Sequence, residues 1–160
     1  MKVSIIMGSI SDNKIAEKVV KILDSFGIEN ELKVISAHRT PHLAAEFAQN
    51  AESNGTEVII AIAGKAAHLA GVIAGITPLP VIGVPAKSST MDGLDSLLSV
   101  VQMPKGVPVA TVAIDGGENA GLLAAQILSV KYPELRIKFK DYKKQLAKEV
   151  EEMNKELETR

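Results

Sequence analysis

At 160 residues the chain fits one domain, and with 46% hydrophobic but only 3% aromatic residues its core must be built from Ala, Val, Ile and Leu, which suits helices layered on a sheet. A formal charge of −1 offers no basic excess for nucleic acid or an anionic membrane, and the absence of cysteine excludes disulfides, thiolate catalysis and cysteine-ligated metal. The opening MKVSIIMGS lacks the apolar core of about 7–15 residues of a signal peptide, and no apolar run approaches the roughly 20 residues of a membrane span, so a cytoplasmic protein is expected.

Short apolar runs then alternate with helical patterns. Lys2–Met7 reads as a strand. Asp12–Phe26 follows with Ile15, Val19, Ile22, Leu23 and Phe26 at helical spacing, stopped by Gly27. Glu31–Ser36 is a second strand. Pro41 suits the first turn of a second helix, which runs to about Asn54 and ends at Gly55. Glu57–Ala63 is a third strand, Ala66–Ile76 a small-residue helix, Pro80–Val84 a fourth strand and Gly93–Val101 a fourth helix. Val107–Ile114 and Asn119–Val130 give a fifth strand and helix, and Pro133 opens a long last helix.

This alternation predicts a three-layer αβα domain. The expected fold is flavodoxin-like and doubly wound, on a parallel sheet of about five strands in the order 2-1-3-4-5. The run VIIAIA at 58–63 is apolar without alternation, as a strand buried on both faces should be. Residues 1–160 form a single domain in this reading, with an α/β core over 1–132 and a terminal helix over 133–160. Leu135, Phe139, Tyr142, Leu146, Val150, Met153 and Leu157 mark an apolar stripe on that otherwise charged helix. At about 25 residues, or about 37 Å, it would overrun so small a domain. The stripe packs either on its own domain or, in part, on another subunit.

In such a sheet ligands bind beyond the carboxyl ends of the strands, and the unusual residues gather there. Gly8-Ser9-Ile10-Ser11-Asp12 follows the first strand, Ser36-Ala37-His38-Arg39-Thr40-Pro41 the second, Ala63-Gly64-Lys65-Ala66-Ala67-His68 the third and Pro85-Ala86-Lys87-Ser88-Ser89-Thr90 the fourth. The first loop can be an ordinary Ser/Asp helix cap, or it can present backbone N–H groups and hydroxyls to an anion. It is neither a P-loop nor a dinucleotide fingerprint, since GK[ST] and GxGxxG are both missing. Asp12 can cap the helix or hold a ribose hydroxyl. His38 and His68, two of three histidines, sit at strand ends facing the cleft, where an imidazole can carry a proton at neutral pH. Either alone is more often structural. Their coincidence with Arg39, which can grip a phosphate, and with a Gly-Ser loop points to a site. His42, one turn into a helix, reads as surface. No two-carboxylate pair, HExxH metal spacing or GxSxG elbow is present, so no metal is expected.

These motifs resemble the N5-carboxyaminoimidazole ribonucleotide mutase family. The resemblance is carried by Gly8-Ser9-x-Ser11-Asp12, the stretch Ser36 to Pro41, Ala66-Ala67-His68-Leu69, the stretch Pro80 to Pro85, and the run from Gly93 through Gln102-Met103-Pro104-x-Gly106 to Thr111. It covers residues 2–133, and it implies the same three-layer fold, a homo-octamer with active sites at subunit contacts, and no cofactor. It further implies that Ser9, Asp12, Ser36 and Arg39 bind the ribose phosphate. His38 would be the general acid and base, and Gly64, Lys65, Ala66, Ala67 and His68 would border a carboxylate pocket. Gly8, Ser11, Ala37 and Leu69 complete the candidate substrate contacts.

The implied activity moves a carboxylate from nitrogen to carbon on an aminoimidazole ribonucleotide, a step of purine biosynthesis. Two positions depart from the family pattern: Lys65 stands where a second Gly is usual, and Ala70 where Pro is usual. A related branch carboxylates the aminoimidazole ribonucleotide directly with carbon dioxide and often carries a basic residue near the Lys65 position. That branch continues with Ser-Asn, whereas this chain continues with Ala66-Ala67-His68 as the mutase does. Two other classes compete. A phospho-acceptor domain would need Asp ending the third strand, where Ala63-Gly64 stands. A noncatalytic nucleotide-binding module would share the phosphate loop but give no reason for His38.

Overall fold

The computed structural model describes residues 1–159. Five parallel strands, β1 (Lys2–Met7), β2 (Glu29–Val34), β3 (Val58–Gly64), β4 (Val81–Ala86) and β5 (Ala110–Thr111), form one sheet in the order β2-β1-β3-β4-β5. Helices α1 (Asn13–Phe26), α2 (Pro41–Asn50), α3 (Leu69–Ala74), α4 (Leu94–Val101), α5 (Gly117–Leu128) and α6 (Glu134–Glu158) cover it. This is the expected three-layer α/β architecture and the expected strand order.

The sheet separates two apolar layers. Val58, Ile60 and Ile62 join Val3, Ile5 and Met7 beneath α1, α5 and the start of α6. Ile59, Ala61 and Ala63 point the other way, onto the alanine-rich layer of α2 and α3. Both faces of β3 are therefore dry, which accounts for its unbroken apolar run. Small residues bring α5 against α1: a Cβ on Gly117 would stand 2.5 Å from the backbone oxygen of Ile15. Gly27 ends α1 at φ 69° in the left-handed region, and Ile28 donates back to the Leu23 carbonyl at 2.9 Å, a Gly-terminated helix end.

Boundaries moved where hydrogen bonding overrode pattern. β2 starts and stops two residues earlier than expected because its register pairs Glu29–Val34 with Lys2–Met7, which releases Ser36 into the loop. α2 is regular only to Asn50, and looser turns carry the chain to Gly55. The third helix begins at Leu69, not Ala66, because the Ala67 and His68 N–H groups bond two residues back, to the Lys65 and Ala66 carbonyls, so the helical ladder first closes from Val72 to His68. The fifth strand shrinks from eight expected residues to two: Pro108 has no N–H to donate to a ladder, and Asp115 turns away at φ 56°.

Candidate active site

The carboxyl ends of β1 to β4 enclose a cleft of ≈ 390 Å³. Its wall includes Gly8, Ser9, Ser11, Asp12, Ser36, Ala37, His38, Gly64, Lys65, Ala66 and Leu69, all of them residues expected from the sequence. Of the other candidates, Arg39 and His68 join through bonds to wall residues, while Ala67 is 1% exposed and packs in the core.

The first loop is held by its own polar groups. Ser9 Oγ accepts from the Ser11 N–H at 3.3 Å, and the Asp12 N–H donates to the Ser9 carbonyl at 3.1 Å. Partial burial is the main cause that raises the Asp12 pKa, with the Asp115 charge adding to it. Hydrogen bonds from Ser11 and Ser9 act in the opposite direction. The second loop is a tight turn in which the Thr40 N–H donates to the Ser36 carbonyl at 2.8 Å. That turn carries His38 and Arg39. Arg39 Nη2 donates to the Gly8 carbonyl at 2.9 Å and Nε to Ser36 Oγ at 3.3 Å, tying the first two loops together. A guanidinium has five N–H groups, so three lie outside these bonds and can meet an anion.

His38 Nε2 lies 3.1 Å from His68 Nδ1, with the rings nearly perpendicular at 89°. One ring must donate and the other accept, so the pair shares a single hydrogen across the contact. Both side chains are exposed, and His38 lines the cleft. The third loop is compact, with the Ala67 and His68 N–H groups donating to the Lys65 and Ala66 carbonyls at 2.8 Å each. Among the described residues no three His, Cys, Asp or Glu side chains stand together as a metal site.

A family model described as AIR carboxylase matches residues 2–149. The chain belongs to the AIR carboxylase family. A relative from Thermotoga maritima named N5-carboxyaminoimidazole ribonucleotide mutase is 58% identical, over 98% of this chain and 92% of its own length. A Vigna aconitifolia protein named phosphoribosylaminoimidazole carboxylase, chloroplastic, is 52% identical over 86% of this chain but only 25% of itself. The solved structure of Treponema denticola PurE superposes with a TM-score of 0.87 at 34% identity, covering 94% of each chain.

For this AIR carboxylase family member, sequence reasoning put the fourth loop at the ligand-binding end of the sheet but gave no role to three of its residues that line the wall, Lys87, Ser88 and Ser89. Their position after β4 was the available signal. They carry no motif of their own, and only the fold shows them turned into the cleft. Ser88 Oγ donates to the Asp95 carboxylate at 2.9 Å, while the Lys87 N–H donates to Asp115 Oδ1 at 2.8 Å. Those carboxylates anchor the loop from α4 and from the turn before α5. His42 is exposed on α2, away from the cleft wall.

Proposed function

We propose that this chain is a mutase converting N5-carboxyaminoimidazole ribonucleotide to 4-carboxy-5-aminoimidazole ribonucleotide in purine biosynthesis. The observation that carries the mechanism is the His38–His68 pair at the mouth of a cleft lined by an anion-ready loop. Ser9, Ser11, Ser36 and the free Arg39 N–H groups bind the ribose phosphate, and Asp12 accepts from ribose hydroxyls. Gly64, Lys65, Ala66 and Leu69 border the migrating carboxylate, with Gly8 and Ala37 completing the wall.

The substrate is a carbamate. Protonation of its nitrogen by His38 breaks the N–C bond and leaves carbon dioxide beside a ring that is electron-rich at C4. C4 attacks the carbon dioxide, and the C4 proton then returns to His38. One proton is given and one recovered, so the step needs no net proton and no cofactor. Retaining carbon dioxide in the pocket is catalysis by positioning. The relatives' names support the mutase assignment, while the plant relative carries the name of the alternative, direct carboxylation by carbon dioxide.

Supplying each substrate to carbon dioxide-depleted enzyme separates these readings. The carbamate should be converted without added bicarbonate. Turnover of only the unmodified aminoimidazole ribonucleotide, dependent on bicarbonate, would assign the carboxylase reaction instead. Binding without turnover of either would leave a nucleotide-binding module.

Assembly belongs to the same proposal. No helix of the described residues is long and apolar enough to cross a membrane, yet Leu146, Val150, Met153 and Leu157 are 42–65% exposed along α6. A homo-octamer with this half of α6 in subunit contacts accounts for them, and we place the enzyme in the cytoplasm, where its nucleotide substrate would be met. Light scattering at micromolar protein should report about eight subunits, a closed symmetric assembly; a clean monomer would overturn this.

A further inference from the structure

The cleft has cations at two separate places. Arg39 stands after β2. The other two, Lys65 and Lys87, follow β3 and β4, on the far side of β1. Register pairs Gly64 with Ala86, so the next residue of each strand is a lysine. The two chains leave the sheet side by side, about 5 Å apart as neighbouring strands are. Lys65 departs at φ 55°, a left-handed conformation that residues bearing a Cβ rarely adopt. It makes no salt bridge among the described residues. Lys87 is already occupied: its Nζ lies 2.7 Å from Asp92 Oδ1, with both side chains well exposed. Asp92 itself sits at φ 56°, next to Met91 at φ 51° and Gly93 at φ 98°. Three consecutive left-handed residues thus hold the carboxylate that pairs with Lys87.

A ligand with one anionic end would need only the Arg39 side of this cleft. Two cationic stations fit a ligand with two anionic ends. We propose that Lys65 and Lys87 form a carboxylate-recognition pair that separates carboxylated from uncarboxylated ribonucleotides, and that Asp92 is the internal carboxylate the ligand displaces from Lys87. The ligand's identity rests on the reading above; the pairing rests on register and on the Lys87–Asp92 contact. The pair holds the second anionic end of the nucleotide while the phosphate stays with Arg39. An ammonium group serves this as a compact three-donor charge on a flexible stem, able to follow a carboxylate that changes its point of attachment.

Calorimetric titration of the full chain tests it, with 4-carboxy-5-aminoimidazole ribonucleotide and 5-aminoimidazole ribonucleotide as the two probes at low salt. Both carry the phosphate, and only the first carries the carboxylate. Lys65→Gln and Lys87→Gln should each weaken the carboxylated probe about tenfold, as loss of a charge-assisted hydrogen bond does. The uncarboxylated probe should change less than about twofold. Asp92→Asn should move the other way and tighten the carboxylated probe, which a purely structural role for Asp92 would not do. Equal losses for both probes would give the lysines to the phosphate and overturn the proposal, as would no loss in either lysine variant. An unchanged or weakened Asp92→Asn protein would overturn the displacement. A wild-type protein that binds neither probe would fail the functional reading itself, a result distinct from intact wild-type turnover with indifferent lysine variants.

Discussion

A folded His38→Asn protein is expected to bind the nucleotide with near-native affinity and to lose turnover by about 10²–10⁴-fold, the usual contribution of a positioned acid–base group. Asn can still hydrogen-bond to His68, so the loop should survive the change. The turn is closed by backbone and by Ser36 and Thr40: Thr40 N–H and Oγ1 both donate to the Ser36 carbonyl, at 2.8 and 2.9 Å, without help from His38. What Asn lacks is a group that gains and returns a proton near neutral pH. Single-turnover kinetics beside a binding isotherm make the measurement. Near wild-type turnover in a folded variant would remove His38 from the mechanism. His68→Asn provides the companion measurement. If His68 only orients His38 through the 3.1 Å contact, its loss should lower turnover less than loss of His38 and shift the pH–rate profile.

The legible part of this molecule was the part written as periodicity and punctuation. Gly27 and Pro41 marked helix ends because one tolerates φ 69° and the other begins a helix without needing its N–H. The apolar run of β3 announced burial on both faces. The site was legible because four polar loops fell at the same ends of four strands, and the fold alone then gathers them. Three features were not legible. The reach of β5 depended on ladder partners that Val107–Ile114 does not encode. Ala66 to His68 looked like the first turn of a small-residue helix, and only the backbone shows Lys65 at φ 55° followed by tight two-residue turns that delay that helix to Leu69. Lys87 to Ser89 carried no recognisable chemistry until Asp92, Asp95 and Asp115 were seen to hold them. The apolar stripe on α6 was read correctly as a stripe, but pattern could not say where along its length the domain stops covering it.

Leu135→Ala is expected to cost about 2–5 kcal/mol, the range for deleting most of a buried leucine side chain, and to lower Tm by roughly 4–20 °C for a chain of this size. Leu135 is 0% exposed and belongs to the layer under α1 and α5. It is the only fully buried position of α6 among the described residues, so it fixes the angle at which the helix leaves the domain. Phe139 and Tyr142 continue the contact more loosely, with their ring centroids 4.7 and 6.3 Å from that of Phe26. Lys138 Nζ reaches the Phe26 carbonyl at 2.6 Å, capping the end of α1. Beyond Tyr142 the subunit offers little cover: Val150 is 57% exposed. Within one subunit Val150→Ala should therefore change stability by no more than about 0.5 kcal/mol. A larger loss there, growing as the protein is diluted, would report burial against another subunit, since association makes stability depend on concentration. Leu135→Ala should show its full penalty at every concentration. Thermal unfolding of both variants across a dilution series reads the two effects apart. A loss below about 1 kcal/mol at Leu135 would show that α6 is not anchored by its first turn.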